Sequence, residues 1–171
     1  MPKGFFFTTD TEIVGGIFTS KLRINSIMKN PSLCDGSGYR TVLFLQGCDL
    51  HCEGCQNKST WDIDGGTEVD SKELADHLRK KCINKKLTIS GGEPLLQTDA
   101  LIDLLEELKD FDLCLYTGHT LEEVPQKVLS YLKYIKVGPF VEELKTTMKP
   151  FVGSSNQEFM EVGNNEITKQ K

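Results

Sequence analysis

KLTISGGEPLLQTDALIDLLEELKDFDLCLYT, residues 86–117, holds a strand, a turn, a helix and a second strand in one short run. KLTIS (86–90) is a brief β-favouring segment that stops at two glycines and a proline. In TDALIDLLEELKD (98–110), Leu101, Leu104, Leu105 and Leu108 fall on one face of a helix. DLCLYT (112–117) then returns to strand composition. A helix between two strands is the usual way to join parallel neighbours, because an antiparallel pair needs only a hairpin.

The same alternation continues on both sides. Upstream, TVLFLQ (41–46) reads as a strand that runs into a cysteine-rich loop, and DSKELADHLRKKC (70–82) as a helix. In that helix Leu74, Leu78 and Cys82 are spaced along one face, with Asp70 and Glu73 set as a capping box. Downstream, LEEVPQKVLSYL (121–132) is a helical pattern interrupted at Pro125, and YIKVG (134–138) is a further strand. Strand, helix, strand, helix, strand, helix, strand predicts an α/β fold with a mostly parallel sheet, either open or curled into part of a barrel.

Chain length suits one domain, and no repeat, linker or low-complexity tract divides it. Residues 1–22 show no clear periodicity and are expected to be an N-terminal extension. Residues 23–160 are the expected domain, and 161–171, ending in the polar NNEITKQK, an expected fraying tail. A formal net charge of −5 argues against a nucleic-acid groove, which needs clustered Lys and Arg. The opening MPKGFFFTTD turns polar after three Phe, and no later apolar run could span a bilayer. A cytoplasmic chain without membrane or nucleic-acid partners is expected. In that reducing setting the six cysteines are not a disulfide framework, so clustered ones point to metal or redox chemistry. Cys34, Cys82 and Cys114 stand apart, as small buried hydrophobes do.

Ligands of parallel α/β folds collect at the C-terminal ends of the strands. Two motifs fall there. GCDLHCEGC (47–55) brings Cys48, Cys52 and Cys55 together without a fourth cysteine nearby. Three thiolates can hold three irons of a cubane cluster and leave the fourth iron for an exogenous ligand. Structural zinc is the bland alternative, but it wants four donors, and His51 adjoins Cys52 too closely for the usual spacing. A complete ferredoxin-type site would have to draw on Cys34, Cys82 or Cys114. The second motif is Gly91, Gly92, Glu93 and Pro94, where residues without Cβ atoms let a ligand press on the backbone; an ordinary tight turn is the alternative. DGSGY (35–39) is no phosphate loop and reads as a turn into the first strand, with Arg40 a candidate near the site. Trp61 reads as core filling, Asn57 as packing around a cluster or core filling, and His119 as a loop histidine outside the site.

C-x3-C-x2-C after one strand and GGE after the next resemble the radical S-adenosylmethionine superfamily. Within it, DGSGYRTVLFLQGC (35–48), GCQNKSTW (54–61), TISGGEPL (88–95), GPFVEELK (138–145) and GSSNQ (153–157) are similar to the activating enzymes of anaerobic ribonucleoside-triphosphate reductase. The resemblance implies an open, partial βα barrel, and a [4Fe-4S] cluster on Cys48, Cys52 and Cys55 whose fourth iron is chelated by S-adenosyl-L-methionine. It also implies cofactor contacts from Gly54, Cys55, Gln56, Gly91, Gly92, Glu93 and Lys136, with Glu93 accepting from the ammonium group and Lys136 near the carboxylate. The implied reaction is reductive cleavage of the cofactor and storage of a glycyl radical on the reductase, the protein substrate. The solitary cysteines cannot hold a second cluster, so an external reductant such as flavodoxin or ferredoxin is expected.

Most of the superfamily has an aromatic residue where this chain has Gly54, an exception shared with the reductase activases. WDIDGG (61–66) also resembles the activase of pyruvate formate-lyase, which is longer and lacks GSSNQ. That activase, a small-molecule radical enzyme of deazaguanine synthesis, and a non-catalytic zinc or electron-transfer module are the competing readings.

Overall fold

The alternation read along the sequence is present in the chain's computed structural model, which describes residues 12–14, 17–163 and 166–169. Of the expected N-terminal extension, residues 1–11, 15 and 16 lie outside the described residues. In chain order the elements are β1 (Glu12–Val14), β2 (Ile17–Thr19), β3 (Lys21–Ile27), β4 (Thr41–Leu45), β5 (Thr67–Asp70), α1 (Ser71–Lys81), β6 (Lys86–Gly91), α2 (Thr98–Glu107), β7 (Asp112–Tyr116), α3 (Gln126–Leu129), β8 (Tyr134–Val137), β9 (Glu158–Val162) and β10 (Ile167–Lys169).

β1 and β2 pair with each other. Among the described residues, the other strands form one sheet in the order β10-β9-β8-β7-β6-β4-β3-β5. Its centre, β4, β6, β7 and β8, is parallel. The flanks are antiparallel on both sides, which the helix-strand alternation did not reveal. The order is linear, so among the described residues the sheet keeps two free edges and stays open. Residues 167–169, within the segment expected to fray, pair with β9; all three are exposed, as suits a short polar edge strand.

Strand alternation sends two different sets of side chains to the two faces. Leu43, Leu45, Leu87, Ile89, Leu113, Leu115, Ile135 and Val137 point outward into the main core, which α1 covers with Leu74, Ala75 and Leu78, and α2 with Ala100, Leu101, Leu104 and Leu105. Each fully buried leucine stabilises this layer by about 2 kcal/mol. Asp70 caps α1 by accepting from the amides of Lys72 and Glu73. α3 is only four residues long, because Pro125 cannot donate a backbone hydrogen bond and restarts the helix.

The inner face is more polar. Phe44 stands beside Ser90, Tyr116 beside Lys136, and Lys136 beside Phe159 in the strand register. Below this row lies Arg40, which the sequence had made a candidate for the site. It is instead fully buried at the opposite end of the sheet. Its guanidinium donates to Thr88 Oγ1, Ser37 O, Leu87 O, and both Oδ1 and the backbone carbonyl of Asp112. It thus clamps the N-terminal ends of β4, β6 and β7. Among the described residues, no helix is long and apolar enough to cross a membrane.

Candidate active site

The cysteine loop leaves β4 at Leu45 and is closed at its base by its own backbone. Gly47 N–H donates to Thr60 O at 2.7 Å and Cys48 N–H to Trp61 O at 3.2 Å. Buried Gln46 reinforces this closure by donating to Asp62 O at 2.7 Å and Ser59 O at 3.3 Å. Within the loop, Cys55 N–H donates to Cys52 O, and Asn57 N–H donates to Cys55 Sγ at 3.3 Å. Burial pushes the Cys48 thiol above its ordinary pKa, opposed by the backbone amides of Leu50 and His51. His51 adopts a positive φ of 45° and sets its ring edge-on to Trp61, with centroids 4.8 Å apart. All three cysteines are free thiols.

The close approach that Gly91 and Gly92 allow is made by the chain itself. Gly92 N–H donates to Leu45 O at 3.0 Å and Glu93 N–H to Gly47 O at 2.8 Å, stitching the end of β6 to the base of the cysteine loop. A Cβ at position 92 would stand 2.0 Å from Gly47 O, and Gly91 has a φ of +116°. Glu93 follows, only 1% exposed. Its Oε1 accepts from Leu95 N–H and Thr117 Oγ1, and its Oε2 from Gly118 N–H. The carboxylate therefore caps the short helix begun by Pro94 and is held by the end of β7.

Lys136 projects from β8 with its ammonium 4.4 Å from the centre of the Tyr116 ring. Burial lowers its pKa, against the attraction of Cys114, Asp35, Glu93 and Cys55. Burial likewise raises the pKa of the Tyr116 phenol. The Tyr116 hydroxyl and the Trp61 indole N–H are buried without a hydrogen-bond partner among the described residues.

These elements enclose one cavity of about 830 Å³ at the C-terminal ends of the parallel strands. Cys48, Cys52, Cys55, Gln56, Gly91, Gly92, Glu93 and Lys136 all line it, while His119 does not and instead faces Glu123 at 3.4 Å. Gly54 is not in the lining. It has a φ of +72°, which favours glycine, and the Glu142 side-chain tip, whose Oε2 lies 1.7 Å from where a Cβ would be, would have to swing aside for any side chain at position 54. Trp61, read from sequence as core filling, is half-buried and faces the cavity, as does Asn57.

Three further contributors escaped sequence reading. Cys34 is exposed and borders the cavity, unlike Cys82 and Cys114, which are buried as expected. Thr117 and Gly118 hold Glu93, and the strand-end signal of YTG was their only trace. The third is the segment between β8 and β9, which bends over the mouth as a strap. Gln157 ties its base by accepting from the amides of Gly153 and Ser154 and donating to Gly138 O. Asn156 adds a bond to Pro139 O, and Ser154 accepts from Val141 N–H. GPFVEELK and GSSNQ are thus the two legs of one strap.

Soft sulfur donors suit iron–sulfur clusters or zinc. Among the described residues, no three His, Cys, Asp or Glu side chains are gathered as donors of a single ion would be. A cluster places its thiolates on separate irons, and sulfur acceptors supplied with backbone N–H groups fit it.

A family model described as a 4Fe-4S single cluster domain matches residues 34–160. The chain is similar to the anaerobic ribonucleoside-triphosphate reductase-activating protein of Enterobacteria phage T4, with 40% identity over 139 residues, 72% of this chain and 86% of that protein. It is 34% identical to the protein of the same name from Vibrio cholerae serotype O1 over 136 residues, 72% of this chain and 88% of that one. It is also 44% identical to the pyruvate formate-lyase-activating enzyme of Clostridium pasteurianum over 93 residues, which are 52% of this chain and 39% of that enzyme.

Proposed function

The chain belongs to the 4Fe-4S single cluster domain family, and we propose from that membership and its site that it activates an anaerobic ribonucleoside-triphosphate reductase by placing a glycyl radical on it. One observation carries the reading: three free thiols, a buried glutamate and a half-buried lysine face a single cavity at the strand ends. Cys48, Cys52 and Cys55 would hold a [4Fe-4S] cluster, which with S-adenosyl-L-methionine bound would supply the one-electron reductive cleavage of that cofactor.

The chain's own residues bind and orient. Glu93 takes the ammonium of the cofactor, Lys136 its carboxylate, and Gln56, Gly91 and Gly92 shape the walls around it, whereas Gly54 lies outside the lining. Lys136 is suited to an anion because its half-buried side chain lines the cavity and its ammonium rests 4.4 Å from the centre of the Tyr116 ring. The strap and the loop before β4 limit water in the cavity. The protein acts in the cytoplasm, takes its electron from flavodoxin or ferredoxin, and meets the reductase at the open mouth.

Anaerobically reconstituted protein is expected to contain iron and sulfide and to release 5'-deoxyadenosine with dithionite. With its reductase it should yield a glycyl radical in electron spin resonance. Colourless, zinc-loaded protein that releases no deoxyadenosine would refute the assignment. The partial likeness to the pyruvate formate-lyase activase is tested in the same assay by offering that lyase; a radical there and none on the reductase would move the assignment to it.

A further inference from the structure

We infer that Thr117 is a positioning residue: it fixes the Glu93 carboxylate so that one acceptor site on Oε2 is left for the cofactor's ammonium group. This rests on the functional reading above. A carboxylate oxygen offers about two strong acceptor sites. Oε1 has both occupied, by Leu95 N–H at 2.9 Å and by the Thr117 hydroxyl at 2.8 Å. Among the described residues, Oε2 accepts only from Gly118 N–H, at 2.9 Å. Glu93 is 1% exposed yet borders the cavity, so its rotation and its remaining acceptor site are set by these neighbours.

The direction of the Thr117 hydroxyl is itself determined. Its oxygen accepts from His119 N–H at 3.1 Å, which leaves the O–H free to donate to Glu93. Thr117 is 2% exposed, so both of these partners are held within the protein. Removing the hydroxyl leaves Oε1 short of a donor. The carboxylate can then turn Oε2 away from the cavity to recover one.

The test compares two ligands on reconstituted protein by anaerobic equilibrium dialysis. S-adenosylhomocysteine carries the amino-acid end, and 5'-deoxyadenosine lacks it. Thr117→Val is expected to weaken the first about tenfold and the second less than about twofold, and Thr117→Ser is expected to restore the wild-type ratio. Cleavage assays should show the same loss as a raised KM with kcat little altered. Equal weakening of both ligands would mean a merely structural role and overturn the inference, as would unchanged S-adenosylhomocysteine affinity. If the valine variant does not load iron and sulfide, Thr117→Ala carries the same comparison. Wild-type protein that loads no cluster or binds neither ligand overturns the functional reading itself.

Discussion

Replacing Gly92 by alanine should separate the two halves of the site while leaving most of the fold intact. The new Cβ would lie 2.0 Å from Gly47 O and 2.7 Å from Gly47 C, with Thr60 O at 3.0 Å. The obstacles are backbone atoms, which cannot swing aside as a side-chain tip can. Reaching an ordinary contact requires the end of β6 to retreat from the cysteine loop by roughly 1 Å. That retreat stretches Gly92 N–H to Leu45 O and Glu93 N–H to Gly47 O, now 3.0 and 2.8 Å, past useful hydrogen-bond length. Leaving such groups unsatisfied costs about 1–3 kcal/mol each, so a loss of about 4 kcal/mol is expected for the pair. Against a total stability of about 5–15 kcal/mol, the variant still folds. Anaerobic urea unfolding of the apo protein measures the first effect, and iron and sulfide per chain after reconstitution the second. A destabilisation below about 1 kcal/mol with full iron content would refute the stitching of GGE to the cysteine loop. Gly153→Ala is the control, because the nearest atoms to its Cβ would be side-chain atoms, the Phe140 ring at 3.1 Å and Gln157 Oε1 at 3.6 Å.

Arg40→Ala should cost about 3–5 kcal/mol in urea unfolding, near the lower bound because Lys86 and Lys133 remain 4.0 and 3.9 Å from Asp112; a loss under about 1 kcal/mol would contradict the clamp. The folded-state pKa of Lys136 is lowered by burial, so the unfolded chain binds the proton more readily and the penalty fades as pH rises toward 10.5. Apo Lys136→Met should therefore be at least as stable as wild type at neutral pH, with the difference shrinking toward pH 10.5, and a growing difference would reverse that sign. In cluster-loaded protein a maleimide should label Cys34 quickly and spare Cys114, whose thiol burial pushes up to about 12, and Cys82, which donates to Lys86 O; fast labelling that survives Cys34→Ser would contradict these burials. Cys52→Ala should abolish iron and sulfide loading with little change in far-ultraviolet circular dichroism, since the loop lies outside the core.

The central strands were legible because their outward residues, such as Leu87, Ile89, Leu113 and Leu115, belong to short apolar runs separated by helical spacing. β3, KLRINSI, and β9, EFMEV, were not, because charges sit among their apolar residues and their partners are antiparallel. The cysteine loop and GGE announced themselves by residue type. Their contact did not, because Gly92 against Gly47 O is a relation between backbones 45 residues apart in number. Arg40 misled for a similar reason. An arginine beside a glycine-rich turn reads as a ligand-binding group, and only the carbonyls of Ser37, Leu87 and Asp112 show that it is spent within the fold. Cys34 differs from Cys82 and Cys114 in nothing but exposure, which composition does not carry.

The antiparallel flank also explains how so short a chain covers its cavity. After a parallel strand, another βα unit would carry the chain back to the N-terminal end of the sheet and leave the strand ends bare. β9 instead runs antiparallel to β8, so the link between them must cross at the C-terminal end, above Lys136. That link is the strap, and Gln157 and Ser154 hold its legs together. From the other side, the loop between β3 and β4 packs on the inner face of the sheet, where Gly36 faces Arg40 Cδ and Cys114 Sγ and Asp35 O accepts from Thr88 Oγ1. Two connections of antiparallel strands thus do what extra helices do in a longer barrel. The Glu142 side-chain tip of the strap rests where a side chain at position 54 would be, so the cover and the thiol loop meet there, and the φ of +72° at Gly54 is what favours glycine.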